Sequence, residues 1–168
     1  MIQPVLLSLV TSLVLSRLDY GISTLIGISR HLLYRLQSVL NAAARLVING
    51  RKYDRITPLL RELHWLRVPE RTKFRLAVLV FRCRNNTAPA NLAKDLQWVS
   101  EDNSRRHLRS ASSYQLIVRR SRRTISDLAF SVAAPRLWNA LPPDVISAPS
   151  LPVVKKLLKT HLFNQSFV

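Results

Sequence analysis

The chain has 168 residues, of which 48% are apolar and only three are glycine. This apolar content suffices for a hydrophobic core and argues against a wholly disordered basic tail. The 26 Lys and Arg outnumber the nine Asp and Glu, and the resulting net charge of +17 indicates a polyanionic partner, most simply nucleic acid.

The first predicted element is an apolar stretch at residues 5–15. It falls well short of the roughly 20 apolar residues that a membrane-spanning helix needs. No Lys or Arg precedes it, as one would in a secretory signal, and Arg17 and Asp19 follow at once. We therefore expect a buried first helix.

Residues 31–47 repeat apolar side chains at helical spacing, which predicts an amphipathic helix. Ser29 is the expected N-cap, and Asn49–Gly50 the expected stop. The predicted apolar stripe comprises Leu32, Leu33, Leu36, Val39, Leu40, Ala43, Leu46 and Val47.

Proline signals divide the next part of the chain. Thr57 and Pro58 predict an N-cap and first residue for a short helix over residues 58–63. Pro69 and Glu70 open a longer helix with Phe74, Ala77, Val78 and Phe81 on one face, ending near residues 85–86. A further short helix is predicted after Pro89, running to Trp98.

The composition then changes, and the following segment is predicted to be a basic, partly extended arm. Residues 105–123 contain seven Arg and no acid, interrupted by an apolar segment, residues 114–118, that suits a short strand. Pro135 is expected to break any helix within residues 127–141. Pro142–Pro143 predicts an extended turn, and Ser150 caps a last amphipathic helix to about Phe163.

Five sequence blocks occur in order along the chain. The longest is LQSVLNAAARLVINGRKYDRITPLLRELHWLRV, residues 36–68, and the others are SRLDY (16–20), AFSVAAP (129–135), LWNALP (137–142) and LKTHLF (158–163). Together these blocks resemble the region after the palm of a reverse transcriptase from LINE-type non-LTR retrotransposons, of the jockey-like or chicken-repeat-like clade. The chain departs from the family where Gly21 and Ile22 replace Cys-Asn, Arg67 and Arg119 replace prolines, Ser126 replaces a glycine and Leu128 an arginine.

The resemblance implies a thumb-like element that grips template RNA and the RNA–DNA hybrid, without the polymerase carboxylates, which lie upstream in the family. Together with the helical periodicity and the composition, this gives an expected fold that is mainly α. It comprises a small thumb-like helical bundle (residues 1–98), a basic arm with a short strand (99–126), and a C-terminal motif with a terminal helix (127–168). The missing polymerase domain is a second expected partner.

The residues themselves offer little for catalysis. Glu101–Asp102 is the only adjacent acidic pair, whereas a two-metal site needs several converging carboxylates. The four His and the single Cys83 lack zinc-site spacing, and three glycines cannot supply a phosphate-cradling loop. We expect no enzyme activity, no catalytic or metal residues, no cofactor and no small-molecule substrate.

Binding is better supported, because residues 51–84 and 105–123 each carry a net charge of +7, together fourteen of the seventeen excess charges. A solvated helix face is the alternative reading of the first block. Tyr53, His64, Trp65 and Trp98 lie near these blocks and suit either base stacking or the core. The predicted nucleic-acid contacts are Arg51, Lys52, Arg55, Arg71, Lys73, Arg75, Arg105, Arg106, Arg109, Arg119, Arg120, Arg122 and Arg123.

The sequence thus predicts a nucleic-acid-binding fragment that contacts RNA or an RNA–DNA hybrid. Two alternatives remain: a translated transposon relic or protein-interaction module whose charge is unused, and a small cationic membrane-associated protein, which is disfavoured. One cysteine excludes an internal disulfide, so the nucleus or cytoplasm is the expected location.

Overall fold

The computed structural model describes residues 4–20, 28–101, 114–119 and 129–167, and these residues are mainly helical, as predicted. A π-helical turn, Thr11–Leu15, joins α1 to α2, and a 3₁₀ turn covers Val99–Glu101. The α-helices are α1 (Pro4–Val10), α2 (Ser16–Asp19), α3 (Arg30–Ile48), α4 (Ile56–Glu62), α5 (Val68–Arg84), α6 (Ala90–Lys94), α7 (Phe130–Asn139), α8 (Pro143–Ile146) and α9 (Leu151–Phe167).

The chain divides into two compact units. The first comprises residues 1–73 and 160–168, and the second residues 74–159. The division predicted from composition, at residues 98 and 126, stays a prediction, because most of the intervening segment lies outside the described residues.

The core of the first unit forms around the apolar face of α3. Its buried side chains are Val10, Leu15, Leu40, Ala43, Ala44, Val47, Leu60, Trp65, Val68 and Phe167. The predicted α3 stripe was too wide, because Leu32, Val39 and Leu46 are 44%, 48% and 57% exposed. The first helix is likewise only half-buried: Val10 and Leu15 face the core, whereas Val5 and Leu13 are largely exposed.

Both ends of α3 lie where the sequence placed them. Ser29 occupies the N-cap position, and its carbonyl accepts the Leu33 N–H at 3.2 Å, whereas its side chain makes no capping hydrogen bond. Asn49 adopts the left-handed conformation at φ 57°, and the Gly50 N–H donates to the Arg45 carbonyl at 2.8 Å. An αL residue at this position satisfies carbonyls that the last helical turn leaves unpaired.

The start of α4 differs from the prediction. The helix begins at Ile56 with Arg55 as its extended N-cap, so Pro58 occupies the third helical position. Proline is tolerated there because the first N–H groups of a helix have no intrahelical partner. Thr57, the predicted cap, instead accepts a hydrogen bond from Arg67 Nη2 at 3.2 Å.

The second unit is built around α5, α7 and the first part of α9. Its most deeply buried side chains include Leu76, Val80, Leu116, Trp138, Val154 and Leu158. The α5 boundaries agree closely with the prediction, but α6 ends at Lys94 instead of reaching Trp98. Helix α9 begins after Ser150 as predicted and extends past Phe163 to Phe167.

Residues 114–119 form a single antiparallel bridge, Trp98 to Leu116, in place of the predicted short strand. The Val99 and Ile117 N–H groups donate to the Gln115 and Gln97 carbonyls at 3.0 and 2.8 Å. Beside this bridge, the Asn139 side chain pairs with both the N–H and the carbonyl of Leu116, at 2.9 and 2.8 Å. The side-chain amide of Asn139 thus forms the two hydrogen bonds that the backbone of a neighbouring strand would form in a sheet.

The prediction that Pro135 breaks the helix was wrong, since α7 continues through it. Pro135 deprives one carbonyl, that of Ser131, of its usual i+4 donor, and an interior proline costs about 3 kcal/mol. Burial of Val132, Ala134 and Trp138 on the same helix offsets that cost.

Candidate nucleic-acid interface

The loop between α3 and α4 presents the clearest candidate interface of the first unit. Arg51, Lys52 and Arg55, all predicted contacts, are exposed there. Among them lies Tyr53, whose side chain is 90% exposed. We call residues 51–55 the basic loop.

Asp54 holds the basic loop in a defined turn. Its Oδ2 accepts the Arg51 N–H at 2.6 Å, and its carbonyl accepts a hydrogen bond from Arg45 Nη2 at 3.2 Å. Lys52 Nζ lies 5.9 Å from the centre of the Tyr53 ring. The acid therefore has a structural role, and one cation, Lys52, lies near the exposed ring.

Two further predicted contacts in the first unit, Arg71 and Lys73, have different environments. Arg71 forms an ion pair with Asp19, with a shortest distance of 2.9 Å, and both side chains are about 15% exposed. Lys73 is exposed. The ion pair commits Arg71 to the interior of its own unit, so we leave it out of the interface.

In the second unit, Arg75 lines a groove of about 510 Å³ together with Arg82 and Lys155. Arg82 Nη2 donates to the Thr87 carbonyl at 2.9 Å, which fixes the position of this guanidinium. Sequence reasoning did not include Arg82 and Lys155 among the contacts. They lie far apart in the sequence, and no local pattern links them.

Only one arginine of the basic arm falls within the described residues. Arg119 is exposed. Arg105, Arg106, Arg109, Arg120, Arg122 and Arg123 lie outside the described residues, and their predicted contacts stay predictions.

Arg84 packs against other residues of the second unit. Its guanidinium carbon lies 3.7 Å from the centre of the Tyr114 ring, and its Nη1 donates to the Ile146 carbonyl at 2.8 Å. Such a stack is a favourable cation–π geometry.

The other three candidates for base stacking have different environments. Trp65 is buried, at 8% exposure, and the half-buried Trp98 meets the buried Trp138 edge-on at 6.4 Å. His64 is exposed, but its ring lies against that of Phe163, with ring centres 5.7 Å apart. Of the four predicted stacking candidates, Tyr53 is the one that is 90% exposed and has a cation, Lys52, near its ring.

Other kinds of site find little support in the described part of the chain. There, no group of three or more His, Cys, Asp or Glu side chains is placed to hold a metal ion. Cys83 is buried, and burial raises the pKa of its thiol while the charge of Arg82 lowers it by a smaller amount. None of the described helices combines the length and apolarity needed to cross a membrane.

The chain matches no protein-family model, no curated protein and no solved structure. Its interpretation therefore depends on its own geometry, charge and sequence motifs.

Proposed function

We propose that this chain is a non-catalytic nucleic-acid-binding module that grips RNA or an RNA–DNA hybrid through Arg and Lys contacts to phosphates. The observation that carries the proposal is the basic loop, in which a 90% exposed tyrosine stands among three exposed cations on a turn held by Asp54.

Physical chemistry links each part of this arrangement to nucleic acid. Arg and Lys neutralise phosphates and release condensed counterions, which supplies most sequence-independent affinity. An exposed aromatic ring is a platform for an unpaired base of any sequence. Exposing a whole tyrosine ring to water forgoes its usual burial, so a partner that covers it gains apolar contact.

The sequence motifs supply the biological setting of the proposal. The resemblance to the post-palm region of a non-LTR retrotransposon reverse transcriptase implies that such a module holds template or hybrid for a polymerase domain. Lys73, Arg75 and the arm arginines including Arg119 are then further phosphate contacts of the proposed module.

The test is a salt titration of binding to single-stranded RNA and to an RNA–DNA hybrid. The logarithm of the association constant should fall linearly with the logarithm of salt concentration. Changing Arg51, Lys52 and Arg55 together to Ala should lower the slope for single strands by about 2, given about 0.7 per neutralised phosphate.

A matched variant, in which the exposed Arg17, Arg35 and Lys94 become Ala, removes the same charge elsewhere. It should change the slope much less. Equal losses in the two variants would show that bulk charge, not the basic loop, drives binding. A flat salt dependence, or no binding at about 50 mM salt, would overturn the proposal itself.

A second candidate, a protein-interaction module, is favoured by the exposed apolar stripe Leu32, Val39 and Leu46 on α3. These side chains recur every seven residues, the spacing of a helix-packing seam. A polymerase palm domain of the resembled family, supplied in trans, should retain the chain on a column. Changing the three residues to Ser should abolish retention if this candidate is correct.

A further inference from the structure

A second concave site lies in the first unit. It is a groove of about 530 Å³ between α3, the start of α4 and the residues around the start of α5. Leu33, Ile56 and Pro69 supply an apolar wall. A groove of this size, with an apolar wall and a few polar groups, has the character of a small-ligand site.

The hydrogen bonds of Gln37 fix the chemistry of Asn41, which also lines the groove. Gln37 Oε1 accepts the Val68 N–H at 2.9 Å, so its Nε2 must be the atom that donates to Asn41 Oδ1 at 2.8 Å. This orients the Asn41 amide and leaves its Nδ2 as the group with hydrogens to donate. Asn41 therefore favours a ligand with acceptor atoms.

Arg67 is held in place before any ligand binds. Its Nη2 donates to Thr57 Oγ1 at 3.2 Å, and its guanidinium carbon lies 5.4 Å from the centre of the Phe167 ring. Holding a guanidinium in this way reduces the entropy lost on binding. The family that the sequence resembles has a proline at this position, so the arginine belongs to this chain and not to the family pattern.

Two exposed residues of α3 complete the groove. Arg30 adds a second guanidinium, and Tyr34 adds a ring that is 72% exposed. Among the described residues that line the groove, none is Asp or Glu. The lining therefore combines two cations, an amide donor, an exposed ring and an apolar wall.

We propose that this groove binds one unpaired nucleotide, with its base against Tyr34 and the apolar wall and its phosphate held by Arg30 and Arg67. The inference rests on the proposed nucleic-acid function and deepens it, since it adds a site for a single base to the phosphate contacts of the basic loop. A mononucleotide alone should bind weakly, in the millimolar range, because it gains only a few contacts.

The test is a titration of the isotope-labelled full chain with uridine 5′-monophosphate, followed by NMR. Signals of Arg30, Tyr34, Asn41 and Arg67 should shift, and the nucleotide should bind more tightly than uridine or inorganic phosphate. Shifts spread over other basic surfaces, or phosphate binding as tightly as the nucleotide, would overturn the nucleotide site.

Arg67→Gln should weaken nucleotide binding about tenfold or more, because it removes a charge-assisted contact. Arg61→Gln is the matched control. Like Arg67, Arg61 lies near the Phe167 ring, 5.6 Å from its centre. Arg61 donates to the Phe167 carbonyl and is not among the residues that line the groove. Equal losses of nucleotide affinity in both variants would mean that disturbed packing around Phe167 causes the effect, and would overturn the site. Thermal unfolding of each variant would show whether that packing is disturbed.

Tyr34→Leu should weaken binding about 5- to 150-fold through lost stacking. Tyr20→Leu, which changes an 88% exposed tyrosine outside the groove, should have no effect. An unchanged affinity in Tyr34→Leu would contradict the proposed base position.

A variant of the basic loop distinguishes failure of this proposal from failure of the proposed function. The triple Ala variant of Arg51, Lys52 and Arg55 should keep mononucleotide affinity while losing affinity for long strands. If the mononucleotide binds but long strands show no salt-dependent binding, the groove stands and the proposed function fails. If long strands bind and the mononucleotide does not, the groove proposal alone fails.

Discussion

Arg71 clamps Asp19 with three hydrogen bonds: Nε and Nη2 donate to Oδ1 at 3.0 and 2.9 Å, and Nη2 donates to Oδ2 at 3.0 Å. The pair joins the end of α2 to α5 within the first unit, across 52 positions of sequence. Asp19 belongs to the SRLDY block, so in this chain one residue of that motif holds α2 against α5. The arginine that the charge pattern assigned to nucleic acid here stabilises the fold.

Asp19→Ala should lower the free energy of unfolding by about 2 to 3 kcal/mol, because it leaves a largely buried guanidinium without its partner. Urea denaturation measures the change. The exposed Asp95 is the control, and Asp95→Ala should cost less than about 0.5 kcal/mol. Equal losses would mean that the pair contributes nothing beyond a surface charge.

Tyr53→Ala should weaken binding of single-stranded RNA by about 1 to 3 kcal/mol, the range found for stacking of one base. The salt slope should stay unchanged, because no phosphate contact is lost. Salt-titrated binding measures both quantities, and the exposed Tyr20→Ala serves as the control. A changed slope with unchanged affinity at low salt would argue against stacking.

Asp54 offers a test of whether the conformation of the basic loop matters for binding. Asp54→Asn removes a negative charge but keeps an oxygen that accepts the Arg51 N–H, so affinity for RNA should rise slightly. Asp54→Ala removes the same charge together with the acceptor, and it should bind about fivefold more weakly than Asp54→Asn, as expected for about 1 kcal/mol. Identical RNA affinities in the two variants would show that the charge of Asp54, and not the loop conformation, determines its effect on binding.

Asn139→Ala should destabilise the second unit by about 2 to 3 kcal/mol, since it leaves both backbone groups of the buried Leu116 without their side-chain partner. Thermal unfolding measures the loss, and hydrogen exchange at the Leu116 amide should accelerate. Asn139→Asp should be as damaging, because a carboxylate cannot donate to the Leu116 carbonyl. An unchanged exchange rate would refute this role.

The raised pKa of the Cys83 thiol predicts a dependence on alkaline pH. A thiol with a raised folded-state pKa contributes stability that is fully present below the unfolded-chain value, about 8.5, and is lost as pH rises through the folded-state value. The stability advantage of wild type over Cys83→Ala should therefore shrink as the pH rises above the unfolded-chain value.

Thiol reactivity gives a second readout of the same property. The native chain should react with an alkylating reagent more slowly than the denatured chain at pH 8, because the buried thiol is both protonated and shielded. Equal rates would contradict the burial of Cys83.

Local signals in the sequence accounted for much of the helical framework. Asn49 and Gly50 ended α3 as predicted because the αL conformation is a property of those residues themselves. The start of α4 and the helix through Pro135 were mispredicted, because proline's local cost depends on its place in the helix and on the packing around it. Likewise, periodicity alone gave α3 an apolar stripe wider than the face that its neighbours cover.

The candidate site was only partly predictable for a similar reason. Charge and composition placed Arg51, Lys52 and Arg55 on a basic segment, and the structure exposes all three. Composition could not show that Arg71 forms an ion pair with Asp19. Nor could it show that Arg82 and Lys155 line one groove with Arg75, or that Arg67 and Tyr34 line a second groove.

By itself, the sequence determined the mainly helical fold class, the ends of α3 and the net positive charge, since these follow from residue type and local spacing. Only the tertiary structure decided which cations pair internally, which aromatic rings are buried and which side chains share a groove. Those outcomes depend on contacts between residues distant in the chain, because burial and pairing are set by what packs against a side chain and not by its neighbours in sequence.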